Sequence, residues 1–102
     1  MQASYSLKQI KLLFQRRDFR ITETALQGAA MMNFLDEDII DCITTCLGAS
    51  HFYKTMPAER VPGLMQDVYK IRYEGKRVYL KLQISKSGHA VVIAFKPDES
   101  ST

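Results

Sequence analysis

Nine consecutive residues, Arg77–Ser85 (RVYLKLQIS), alternate between apolar and polar without exception. Val78, Leu80, Leu82 and Ile84 fall on one side; Arg77, Tyr79, Lys81, Gln83 and Ser85 fall on the other. A side-chain period of two belongs to a strand, and strict alternation means one face on a core and one in water. Such a strand needs neighbours for its backbone and an apolar layer over its buried face. The first fifty residues can supply that layer, because their apolar residues recur at helical spacing, whereas after residue 50 the period is two. Helices followed by hairpin-linked strands predict a two-layer α+β fold, with N-terminal helices packed on an antiparallel sheet. With 102 residues the chain is long enough for one domain (1–102) and one core.

Ser6 to about Arg17 reads as a helix. Ser6 and Gln9 have capping-box spacing, and Leu7, Ile10, Leu13 and Phe14 make its apolar stripe. Asp18–Ile21 reads as a turn into a short extended piece. Thr24 and Gln27 repeat the capping spacing ahead of a short helix, Ala25–Met31. Asp36, Glu37 and Asp38 cluster where a helix N-terminus favours negative charge. Ile39, Ile40, Ile43 and Leu47 follow as its buried stripe, and Gly48 sits where a left-handed cap would go. Strands are expected at His51–Met56, Met65–Glu74, Arg77–Ser85 and His89–Lys96. Gly75-Lys76 and Lys86-Ser87-Gly88 are the hairpin turns, and Pro57–Gly63 is a loop. The polar segment 97–102 reads as a flexible tail.

Charge is informative by location. The net charge is +3, yet residues 1–50 are near −1 and residues 51–102 near +4. If the two middle strands pair through the Gly75-Lys76 turn, their polar faces coincide and present Gln66, Lys70, Arg72, Arg77, Tyr79 and Lys81. A basic face attracts polyanions, nucleic acid above all, although an ordinary solvated sheet face has a similar composition. Lys54 shares its side with Phe52 and Met56, and parity alone does not place it. Parity also puts His89, Val91, Ile93 and Phe95 on one face of the last strand, with Ala90, Val92, Ala94 and Lys96 on the other.

Other constellations are weak. His51 and His89 are far apart, and Cys42 and Cys46 have no companions that complete a metal set. Helix-start electrostatics accounts for Asp36, Glu37 and Asp38. No phosphate-loop, dinucleotide or nucleophile-elbow pattern occurs, so neither a metal nor another cofactor is expected. No apolar run approaches the roughly 18 residues of a membrane helix. Charges interrupt every apolar stretch of the N-terminus, and two cysteines are too few for a disulfide scaffold. The expected compartment is the cytoplasm, without membrane attachment.

Four short motifs in order narrow the reading: FYK-x-M (52–56), QDVY (66–69), VYLK (78–81) and a last strand ending in FK (95–96). With the basic first helix, the threonine-rich turn and TALQ (24–27), the chain resembles the MqsR family, toxins of bacterial type II toxin–antitoxin pairs. The resemblance spans nearly the whole chain. Departures lie in loops, at Pro57–Gly63 and in the QISKSGHA turn, and bear on substrate preference more than on activity. The resemblance implies a RelE-like ribonuclease fold, sequence-preferring cleavage of mRNA and neutralisation by a cognate MqsA-like antitoxin. It implies active residues at Lys54, Gln66, Tyr79 and Lys96. The toxin is expected to be monomeric when free.

A metal-independent ribonuclease uses the ribose 2′-OH as nucleophile and needs in-line positioning, charge neutralisation and proton transfer. Lys54 and Lys96 are candidates for charge stabilisation, and Tyr79 for acid or base, its flanking cations favouring the phenolate. Gln66 would orient the phosphate or a base edge, while Lys70, Arg72, Arg77 and Lys81 would contact RNA. The competing expectations are a non-catalytic nucleic-acid-binding module on the same face and a protein whose cations meet an acidic partner.

Overall fold

The computed structural model describes residues 1–99. The order is α1 (Leu7–Gln15), β1 (Phe19–Ile21), α2 (Glu23–Ala30), α3 (Asp36–Asp41), β2 (Phe52–Pro57), β3 (Met65–Tyr73), β4 (Lys76–Ile84) and β5 (Ala90–Pro97). The five strands form one sheet in the order β1-β5-β4-β3-β2. All neighbours are antiparallel except β1, which runs parallel to β5. The α+β class is as expected. The parallel edge strand is an addition that a three-residue extended piece could not announce.

The helices begin on side-chain caps. Ser6 Oγ accepts from the Gln9 N–H at 3.3 Å. The cap of α2 is Thr22, two residues earlier than expected: its Oγ1 accepts from the Ala25 N–H at 3.1 Å and donates to the Ile93 carbonyl at 3.1 Å. Thr22 bonds to β5, so one hydroxyl both opens the helix and ties it to the sheet. After α3 the chain widens into a π turn, Cys42–Cys46, closed by the Leu47 N–H on the Cys42 carbonyl. This turn keeps Ile43 and Leu47 buried. It also overturns the left-handed cap at Gly48, whose φ is −133° and whose N–H donates instead to His51 Nδ1 at 3.0 Å.

Ile10, Phe14, Ala25, Ile39, Ile43 and Leu47 cover one sheet face, built from Tyr69, Ile71, Val78, Leu80, Leu82, Val92 and Phe95. Each large side chain here contributes about 1.5–3 kcal/mol by leaving water. Asp67 is on this inner side as well, fully buried, and accepts from the Ser4 and Tyr5 N–H groups at 2.9 Å each. The acid thereby pins the N-terminal segment and is withdrawn from the outer face. The β3–β4 turn is Glu74-Gly75, one residue earlier than expected. Both have positive φ (48° and 80°), the signature of a two-residue type I′ hairpin.

Two irregularities overturn simple parity. β2 shifts register between Phe52 and Lys54: Phe52 opposes Tyr69 in the core, whereas Lys54 opposes Val68 on the outer face. The extra residue is Tyr53. The β4–β5 ladder shifts between Lys81, opposite Ala94, and Leu82, opposite Val92, leaving Ile93 as the extra residue. Val91 is thus outward with Gln83, while Val92 and Phe95 face the core. A bulge inserts one unpaired residue and exchanges the faces beyond it. Pro97 belongs to β5, and the Asp98 N–H donates to the Arg77 carbonyl at 2.9 Å, so residues 97 and 98 are held to the sheet. The rest of the expected tail, 100–102, lies outside the described residues.

Candidate active site

Cross-strand register assembles the outer face row by row. Lys70 opposes Tyr79, and Tyr79 opposes Lys96. Lys54 opposes Val68, Val68 opposes Lys81, and Lys81 opposes Ala94. Arg72 opposes Arg77. Gln66, opposite Met56, donates through Nε2 to Gln83 Oε1 at 3.0 Å. Opposed residues lie about 4.5–5.5 Å apart on the same side. Lys54, Gln66, Tyr79 and Lys96 therefore share one face with Lys70, Arg72, Arg77 and Lys81. The tyrosine stands between the lysines of its two neighbouring strands. The bulge at Tyr53 brings Lys54 out, and Ile93 restores the parity that leaves Lys96 out while Val92 stays in.

The ammonium groups use the aromatic rings as partners. Lys96 Nζ is 5.0 Å from the Tyr79 ring centroid and Lys81 Nζ 5.9 Å. Lys70 Nζ sits 4.0 Å from the centroid of Tyr53, and Lys54 Nζ 5.7 Å. Cations over ring faces are favourable by about 0.5–1 kcal/mol at exposed sites. Tyr53 thus belongs to the site although the sequence reading passed over it. Only the FYK string hinted at it, because a bulge residue has no parity.

Electrostatics corrects the expected phenolate. Burial, then the Tyr53 phenol and the Asp98 carboxylate, raise the Tyr79 pKa above its ordinary value. The flanking cations do not overcome these effects, and Tyr79 is held as a phenol, a proton donor. The perturbed lysine is Lys81. Burial, then Lys96, lower its pKa, with Lys54 adding to the effect and Glu59 opposing it. Asp98 closes one end of the face, 3.7 Å from Lys70 Nζ and 3.8 Å from an Arg77 guanidinium nitrogen. Arg72 stays exposed near the hairpin. A cavity of about 420 Å³ lies beside the centre, lined by Met31, Tyr79, Lys96, Pro97, Asp98 and Glu99.

His51 accepts from the Gly48 N–H, and His89 is hydrogen-bonded to Asp18 at the start of β1. The Cys42 pKa is pushed up to about 12 by burial, with smaller contributions from Cys46 and Asp41, so it is not a nucleophile. Among the described residues no group of three or more His, Cys, Asp or Glu could hold a metal ion. No described helix is long and apolar enough to cross a membrane.

Residues 2–97 match the family described as "Motility quorum-sensing regulator, toxin of MqsA". The chain belongs to the MqsR toxin family. Among curated relatives, the "mRNA interferase toxin MqsR" of Escherichia coli (strain K12) is 32% identical over 90 residues, which is 88% of this chain and 89% of that protein. The helix-on-sheet architecture agrees with the RelE-like fold that an MqsR relationship implies. In this MqsR-family chain the four motifs lie on β2, β3, β4 and the end of β5, the strands that build the basic face.

Proposed function

We propose that this MqsR-family protein is the toxin of a type II toxin–antitoxin pair and acts as an mRNA endoribonuclease. The observation that carries the reading is the row Lys70–Tyr79–Lys96, with Lys54 and Gln66 on the same face. The reaction needs no metal. The ribose 2′-hydroxyl gives up its proton to solvent as its oxygen attacks the adjacent phosphorus, the bond to the 5′-oxygen breaks, and the products are a 2′,3′-cyclic phosphate and a 5′-OH. Lys54 and Lys96 neutralise the charge that grows on the phosphorane-like transition state. Tyr79, kept protonated, donates to the departing 5′-oxygen. Gln66 orients the phosphate or the adjoining base. Lys70, Arg72, Arg77 and Lys81 hold the flanking backbone by phosphate contacts. The free toxin is a cytoplasmic monomer, and an MqsA-like antitoxin neutralises it.

The test is cleavage of labelled RNA by purified protein in excess EDTA. Cleavage that survives chelation and falls by about 10²–10⁴-fold in Tyr79→Phe, with melting unchanged, supports the reading. Tight binding without cleavage of any RNA would replace it with a non-catalytic RNA-binding module.

A further inference from the structure

A second cavity, about 530 Å³, opens on the same face on the Gln66 side. Its floor is Gln66, Lys81, Gln83 and Ile93; one wall is the start of α2 with Thr24, and the other is the 58–61 loop with Glu59 and Val61. The loop is folded, not slack: the Ala58 N–H donates to the Leu64 carbonyl at 2.9 Å and the Leu64 N–H to the Val61 carbonyl at 3.2 Å.

The chemistry of this lining is uneven in a useful way. Ile93, Val61 and Ala58 offer apolar contact. Gln83 is only 8% exposed, yet the one hydrogen bond of its amide is the one it accepts from Gln66. The Gln83 NH₂ and the Gln66 carbonyl are left unspent, an adjacent donor and acceptor. Among the described residues no buried side-chain nitrogen or oxygen lacks a partner, so these two amide atoms open onto the cavity and are available to a ligand. Lys81 lies between the cavity and the Tyr79–Lys96 pair, two residues from each of Tyr79 and Gln83. Tyr79 and Gln83 are separated by about 13 Å along β4, with Lys81 between them on the same face.

We propose that this cavity is a nucleobase pocket. It takes the base next to the scissile phosphate, sandwiches its flat faces between Ile93 and the 58–61 loop, and reads its edge with the Gln66–Gln83 amides. The ligand class is an unpaired RNA base whose edge sets a donor beside an acceptor. Glu59 and Thr24 add a second acceptor and a hydroxyl at the rim. The inference rests on the ribonuclease reading and adds to it the residues that choose the cut site.

The experiment is cleavage of a random-sequence RNA pool, with the new ends sequenced, for the unchanged protein, Gln83→Leu, Glu59→Gln, Thr24→Val and a Lys8→Ala control on α1. Gln83→Leu is expected to flatten base preference at one position beside the cut by on the order of tenfold. Glu59→Gln and Thr24→Val shift the same position to a smaller degree, and Lys8→Ala shifts none. Preferences in all three pocket variants identical to those of the unchanged protein overturn the proposal. Should Gln83→Leu fail to fold, Glu59→Gln and Thr24→Val decide alone, since both side chains are exposed. If the unchanged protein cuts no RNA, the ribonuclease reading fails, and selection of bound 2′-O-methyl RNA then tests the pocket by itself. Enrichment of a base at one position that Gln83→Leu abolishes supports it, and a pool without enrichment overturns it.

Discussion

Tyr79 and Lys96 are direct cross-strand partners, with the ammonium nitrogen 5.0 Å from the phenol ring centroid. Neither side chain reaches this arrangement through a loop; both stand on interior strands of the sheet. Their separation is therefore fixed by backbone pairing, which is how a site holds reacting groups within a fraction of an ångström.

The Tyr79 pKa lies above its ordinary value of about 10. The phenol accordingly keeps its proton through the neutral and mildly alkaline range. Catalysis that needs a phenolate would speed up as pH rises toward 10. Catalysis that needs the phenol does not, and its rate is lost only once the proton leaves. Single-turnover rates between pH 6 and 10 are expected to show no rise attributable to Tyr79, and a rise that Tyr79→Phe removes would refute the assignment.

Lys81 gives the opposite limb. Its folded pKa is lowered, so its positive charge disappears at a lower pH than the ordinary 10.4 or so. RNA affinity is expected to weaken as pH climbs through the folded value. Lys81→Arg, which stays charged, flattens that limb. For folding the sign is reversed. Between the folded and the ordinary value the unfolded chain binds more protons, so this residue's contribution to stability rises with pH. Titrating RNA binding and urea unfolding over the same buffers separates the two effects.

Asp98 competes with RNA for Lys70 and Arg77. Asp98→Asn should tighten RNA binding several-fold at low salt and steepen its salt dependence, because it removes a negative charge beside Lys70 and Arg77. The Asp98 side chain is only 7% exposed, so losing its ion pairs should also lower the melting temperature. Equal salt slopes for the variant and the unchanged protein would show that Asp98 does not occupy a phosphate position.

Gly28 lies where α2 meets the backbone of β5. A Cβ here would overlap the Phe95 carbonyl oxygen and come 3.0 Å from Lys96 Cβ. Backbone cannot yield cheaply, so Gly28→Ala should cost about 1–3 kcal/mol. In a domain of this size that is a melting temperature lower by about 4–8 °C per kcal/mol. Cleavage should fall further than the folded fraction explains, because Lys96 moves with β5. A Gly28→Ala protein with unchanged melting and activity would mean that α2 does not press on the strand.

The alternation of Arg77–Ser85 and the stripes of the helices made the layers, the four long strands and the β3–β4 basic face readable in advance. These patterns are local, and burial repeats along a single element. What escaped prediction depends on neighbours. Tyr53 and Ile93 became extra residues through how their strands pair. Thr22 became the cap through its bond to Ile93. Gly48 lost its left-handed turn to a π turn that keeps Leu47 buried. Lys54 and Lys96 were put forward through motif resemblance alone, and the register shift between Phe52 and Lys54 explains why parity alone could not place Lys54. Gln83 was seen as one polar position among several; only its buried, half-satisfied amide singles it out.

The 58–63 loop and the Lys86–Gly88 turn touch the strands that carry the reacting groups without supplying any of those groups. Under the proposed ribonuclease reading, these two segments can change length or composition without moving any of those groups. Adding or deleting one residue between Phe52 and Lys54 has no such latitude, for it would turn Lys54 away from the proposed active face and toward the hydrocarbon interior.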